Sequence, residues 1–195
     1  MKLYFTPRSS ATRPRWLLEE LGVPYELVKL DFAQREHQTA AYLQLHPFGE
    51  VPALVDGDLR LFESLAICFY LADYSPEAQL APSLGSPERA RYMQWLIFAE
   101  TRLEPVVKQF LNHSNSPEPA NAQIYASLNH VLGIIDTELD GRDFIAAGHF
   151  TAADLVLASI LHLANAMKLL EGYPRLVKYV YFHCQRPALQ RAVTA

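Results

Sequence analysis

The sequence predicts a small α/β domain followed by an all-helical domain. Three observations carry this. Asp56-Gly57-Asp58 sits between two short apolar runs and reads as a hairpin turn, because glycine supplies the positive φ such turns need. The stretch from Ser75 to Pro87 holds three of the chain's thirteen prolines and reads as a linker. Beyond it the long segments all have helical periodicity.

The elements follow in order. Lys2 to Phe5 is a strand and Thr6 to Thr12 a polar turn. Pro14 suits the first turn of a helix that Gly22 stops, with Trp16, Leu17 and Leu21 as its buried face. Tyr25 to Leu30 alternates as a strand, and Asp31 to Leu45 is a polar loop with a helical patch. Pro52 to Val55 and Leu59 to Phe62 are the hairpin arms, and a helix runs from Ser64 to about Asp73. Helices are then expected over Pro87 to about His113, Ala120 to Leu139, Thr151 to Leu170 and Leu176 to Gln185. Breaks fall at Asn115-Ser116-Pro117, Gly141 and Gly172. Thr151 and Asp154 have capping-box spacing, with Phe150 and Leu155 placed as a hydrophobic staple, so they are folding residues. The expected division is residues 1–75, a linker over 76–86 and a helical domain over 87–195.

Composition narrows the function. With 195 residues, half of them apolar and 19% charged, the chain can fill the cores of one or two domains. A net charge of −4 and a pI near 6.0 argue against nucleic acid or an anionic membrane surface as the main partner. No stretch approaches the roughly 18 apolar residues of a membrane span, and no cleavable leader is apparent. Cys68 and Cys184 lie far apart, so a disulfide framework is not expected and a cytoplasmic protein is. His113, His130, His149, His162 and His183 lack ligand spacing, so no metal site is expected.

The most informative stretch is His46-Pro47-Phe48-Gly49-Glu50-Val51-Pro52-Ala53-Leu54, followed by Glu63-Ser64-Leu65-Ala66-Ile67-Cys68-Phe69-Tyr70-Leu71. A proline cannot donate to a ladder, so Val51-Pro52 belongs at a strand entrance, edge or bulge. Ser64 is a good N-cap, and a helix N-terminus beside Glu63 offers amide donors and a carboxylate. Exposed strand-like backbone, an anion site and an acid side by side suit a short zwitterionic peptide. The two runs resemble the glutathione transferases, which carry N-P-x-G-x-V-P-x-L and then E-S-x-A-I-x-x-Y-L. His46 stands where that family usually has asparagine.

The resemblance implies an α/β thioredoxin-like N-terminal domain and an all-α helical-bundle domain that lines the second-substrate site. It implies reduced glutathione as co-substrate, a small electrophilic substrate and a homodimer. The chemistry is thiol activation. A free thiol titrates near 8.5, and lowering that by about two units takes roughly 2.7 kcal/mol, within reach of a charge-assisted hydrogen bond plus a dipole. One hydroxyl at the first turn suffices, and three compete by alignment with different branches of the family: Ser10 first, Ser9 second, Tyr4 third. Val51, held by Pro52, would pair its backbone with the cysteinyl part. Glu63 would meet the α-amino group of the γ-glutamyl end and Ser64 its α-carboxylate. His37 and Gln38 would contact the glycine end, and one of Arg13 and Arg15 would point toward the sulfur or a carboxylate, Arg15 being preferred because an ordinary surface role suits Arg13 at least as well. Tyr92, Phe98 and Arg102 fall with Trp95 and Ala99 at roughly helical spacing, a stripe that is either packing or substrate wall. Two rival functions remain open, a glutathione-recycling isomerase or dehalogenase and a non-catalytic scaffold.

Overall fold

Strand β1 (Lys2–Phe5) alternates its faces: Leu3 and Phe5 are buried on one, while Tyr4 packs on the other against Leu30, Tyr42 and Ala53. The computed structural model describes residues 1–113 and 118–194, so the break expected at Asn115-Ser116-Pro117 lies outside the described residues. The chain divides into two units, residues 1–80 with 187–195 and residues 81–186.

In the first unit β1 is followed by α1 (Thr12–Leu21), β2 (Glu26–Lys29), α2 (Ala40–Leu43), β3 (Ala53–Asp56), β4 (Leu59–Phe62) and α3 (Ser64–Tyr74). The sheet order is β2-β1-β3-β4, with β1 and β2 parallel and the other pairs antiparallel. The fold class is the expected one: a mixed four-stranded sheet with helices, then a helical unit. Gly22 ends α1 in the left-handed conformation, its amide closing onto the Leu18 carbonyl at 3.0 Å. Gly57, at φ 58, makes the hairpin turn between β3 and β4.

The last helix, α9 (Pro187–Val193), departs from the expected continuous helical domain over 87–195. It packs on α1, with Ala188 and Ala192 buried, and the Arg191 Nε donates to Glu19 at 2.7 Å. With α3 on one side and α9 on another, α1 buries Arg13 to Leu18 almost all round, and Leu18 rather than Leu21 is fully covered.

The second unit holds α4 (Pro87–Phe98), α5 (Glu104–His113), α6 (Glu118–Glu138), α7 (Ala152–Ala166) and α8 (Pro174–Cys184). Helix α7 is apolar nearly all round and is the buried centre that α4 and α8 pack against. Its capping box forms as the spacing requires: Thr151 caps the helix, and Asp154 accepts the Thr151 amide at 2.9 Å. A π-helical turn, Ala99–Leu103, interrupts the long helix expected from Pro87. A π turn takes more residues than an α turn, so side chains beyond it lose the 3.6-residue phase. Tyr92, Trp95 and Ala99 are core, Phe98 is half-buried on another face of α4, and Arg102, within the π turn, is exposed; they are not one stripe.

Candidate functional site

Three chain ends meet in the first unit: the turn before α1, the loop before β3 and the start of α3. The β3 ladder begins at Ala53, opposite Tyr4, so Val51 stands outside it, and the Val51-Pro52 bond is cis. The Val51 carbonyl accepts a long hydrogen bond from the Ser10 hydroxyl at 3.4 Å. The neighbouring Glu50 carbonyl accepts from the Tyr42 hydroxyl at 2.5 Å. Gly49 is required here: φ is +63°, and a Cβ would meet the His37 carbonyl oxygen at 2.7 Å. That close approach sets the turn at Glu36–Gln38 against the loop.

Glu63 has φ 69° and ψ 116°, a backbone region costly for any residue with a Cβ, and it is exposed. Because Glu63 takes the cap position, Ser64 is the first helical residue rather than the expected N-cap. Its side chain is buried, and its hydroxyl accepts from the Arg13 Nη1 at 3.4 Å. A helix N-terminus adds unsatisfied amides and the positive end of the dipole at this point. Ser10, Val51, Ser64 and Arg13 thus link the three chain ends.

The other expected residues fall as follows. Ser9 is spent on its own turn, donating to the Thr6 carbonyl at 2.7 Å and accepting the Ala11 amide at 3.3 Å. Tyr4 packs its ring 5.5 Å from that of Tyr42. Arg15 turns the other way: its guanidinium lies 5.6 Å from the Phe5 ring and donates to the Arg191 carbonyl at 3.1 Å, so it fastens α9. Two residues apart on a helix, Arg13 and Arg15 had to diverge. The spacing gave no sign of which faced Ser64, and Arg13 was the residue missed. The His37 ring stacks on Phe32 at 4.0 Å, and Gln38 is exposed in the same turn. Among the described residues no cluster of three or more His, Cys, Asp or Glu is placed to hold a metal ion.

Residues 1–73 match the sequence profile of the glutathione S-transferase N-terminal domain, and residues 118–180 that of the C-terminal domain. The chain belongs to the glutathione S-transferase family. It is 32% identical to glutathione S-transferase GstA of Escherichia coli O157:H7, over all of this chain and 98% of that one. Glutathione S-transferase 1 of Zea mays is likewise 32% identical, over 98% of this chain and 94% of the relative. Among solved structures, a sphingomonad glutathione S-transferase complexed with glutathione superposes with a TM-score of 0.85 at 33% identity, covering 99% of this chain and 97% of that one.

In this glutathione S-transferase Ser10 reaches Val51 and Arg13 reaches Ser64, while Arg15 is spent on α9. A cavity of about 160 Å³ in the second unit, lined by Arg142, Arg175, Lys178, Tyr179 and Phe182 among others, contains none of them.

Proposed function

We propose that this glutathione transferase ionises the thiol of reduced glutathione with the Ser10 hydroxyl and delivers it to a small electrophile. The single observation that carries this is the Ser10 contact with Val51. Its hydroxyl hydrogen-bonds the loop backbone that stands off the ladder, whereas Ser9 is spent on its own turn. At 3.4 Å that bond is weak, so little is lost when the hydroxyl turns to donate to a sulfur instead. Donation to the thiolate favours the ionised form, the nucleophilic one.

The remaining residues bind and orient. Val51 offers its backbone to the cysteinyl part. The Ser64 hydroxyl, steadied by Arg13, and the α3 N-terminus take the α-carboxylate, while Glu63 takes the α-ammonium. His37 and Gln38 lie in the turn that Gly49 holds against this loop, and they take the glycine end. Held this way the thiolate reacts from a fixed position, which lowers the barrier by proximity. Curated relatives are named transferases, which favours transfer over glutathione recycling or a scaffold role. A homodimer in the cytoplasm completes the reading. Phe48, 73% exposed, offers an apolar contact to a second copy.

The test is the ultraviolet absorbance of the thiolate on titrating the protein with glutathione at neutral pH. A saturable rise is expected in the wild type and is lost in Ser10→Ala, with kcat/KM lowered about 10–100-fold. Ser9→Ala and Tyr4→Phe should stay within a few-fold of wild type. A signal that survives in Ser10→Ala and disappears in Tyr4→Phe would reassign the hydroxyl.

A further inference from the structure

The peptide unit that joins Glu50 to Val51 is held from one side only. Its carbonyl accepts from the Tyr42 hydroxyl at 2.5 Å, and its N–H, the Val51 amide, donates to no group among the described residues. This peptide bond is trans. A trans peptide unit is planar, with its C=O and N–H directed oppositely, so whatever fixes the carbonyl fixes the amide as well. The Glu50 carbonyl points to Tyr42, and the Val51 N–H therefore points away from it.

Tyr42 is well placed to hold that direction. It is 4% exposed and belongs to a buried cluster with Leu30 and Ala53, against which Tyr4, Leu45 and Val51 itself pack. Its backbone is fastened at both groups: Thr39 Oγ1 accepts its amide at 3.3 Å, and its carbonyl accepts the Leu45 amide at 2.8 Å and the His46 amide at 3.0 Å. Burial raises the pKa of the phenol, so the hydroxyl stays a donor at neutral pH. The Glu50 carbonyl accepts no other hydrogen bond among the described residues. Without the hydroxyl this carbonyl is free to turn toward water, and the Val51 amide turns with it.

We propose that Tyr42 is a positioning residue for the transfer reaction: by holding the Glu50 carbonyl, it aims the Val51 amide at the cysteinyl carbonyl oxygen of bound glutathione. This rests on the reading of Val51 as the backbone partner of the cysteinyl part. The cysteinyl residue offers one main-chain acceptor, its carbonyl, and that is the group an amide donor meets. The two main-chain groups of Val51 are thus set by two hydroxyls from different elements. Ser10 meets the carbonyl directly, and Tyr42 on α2 sets the amide through the peptide plane.

Tyr42→Phe keeps the ring and removes the hydroxyl. Its Kd is compared with that of the wild type by calorimetry for three thiols. Glutathione is the first. γ-Glutamylcysteine lacks the glycine but keeps oxygens on the cysteinyl carbonyl carbon, and γ-glutamylcysteamine lacks that carbonyl altogether. The variant should bind the first two about 3–10-fold more weakly, the equivalent of one neutral hydrogen bond, and the third within about twofold of wild type. Equal weakening of all three makes Tyr42 a support of the fold alone and overturns the proposal, as does weakening of none. Weakening confined to glutathione places the effect at the glycine end and overturns it too. No binding of glutathione by the wild type overturns the glutathione reading and this one with it. Independently, the Val51 amide proton is followed by NMR. It should shift downfield when glutathione binds the wild type and shift less in Tyr42→Phe. Equal shifts overturn the proposal, and no shift in a wild type that binds overturns the Val51 reading beneath it.

Discussion

Arg13 and Arg15 have the same chemistry, sit two residues apart and are equally buried, yet the fold assigns them different work. Arg13 donates to the Ser64 hydroxyl, and Arg15 to a carbonyl of α9. Replacing Arg13 by alanine should therefore raise the Kd for glutathione by about 1–3 kcal/mol equivalent, the usual cost of removing a charged hydrogen-bond partner. Arg15→Ala should leave that Kd nearly unchanged and lower the urea midpoint instead. Calorimetry and urea unfolding on both variants check the division, and a shared phenotype would refute it. The sequence marks the loop of Val51 and the start of α3 because their order is local and proline and glycine punctuate it. It could not reach Arg13, since helical pitch separates two faces without saying which one meets a residue 51 positions away. Ser64 as a cap failed for a related reason: Glu63 adopts positive φ, which residue type alone disfavours, and so takes the cap position.

Among the elements, α7 depends most on one side chain. The Asp154 carboxylate is buried and accepts four bonds: the Ile145 amide at 2.7 Å, the Thr151 amide at 2.9 Å, the Thr151 hydroxyl at 3.1 Å and the Tyr179 hydroxyl at 2.8 Å. Burial raises its pKa and these bonds lower it in turn, so the carboxylate ties the preceding loop, its own helix and α8 together. Asp154→Ala should cost about 2–4 kcal/mol, measured by urea unfolding, because a cap is lost and buried donors are left without an acceptor. Full activity at low temperature is expected to survive, since none of these groups belongs to the glutathione site. The capping box was legible because its spacing is local. The π turn after α4 was not, because no residue type marks it, and Arg102 falls within it.

Across the whole molecule, two buried histidines make stability depend on pH. His183 is 1% exposed, enclosed by Phe144, Phe150, Tyr179 and Phe182, and placed 3.0 Å from the Asp143 carbonyl oxygen. Burial lowers its pKa below the ordinary 6.5, as it does for His46. The unfolded chain then binds more protons than the folded one, so their contribution is complete above pH 6.5 and is lost as pH falls through the folded-state values. Asp154, raised by burial, acts with the opposite sign, so the histidine contribution is read as a difference between proteins. The urea midpoint of the wild type should drop more steeply between pH 7.5 and 5.5 than that of His183→Gln. Equal slopes would show that His183 does not titrate differently on folding.

The covering of α1 by α9 also sets an order of events during synthesis. The first unit receives its sheet and α1 early, but α9 reaches α1 only after all of residues 81–186 have been made. A nascent chain halted anywhere in that interval carries α1 with one flank bare, and the turn that holds Ser10 on an unfinished support. The half of the molecule that carries the sheet, though written first, is finished last.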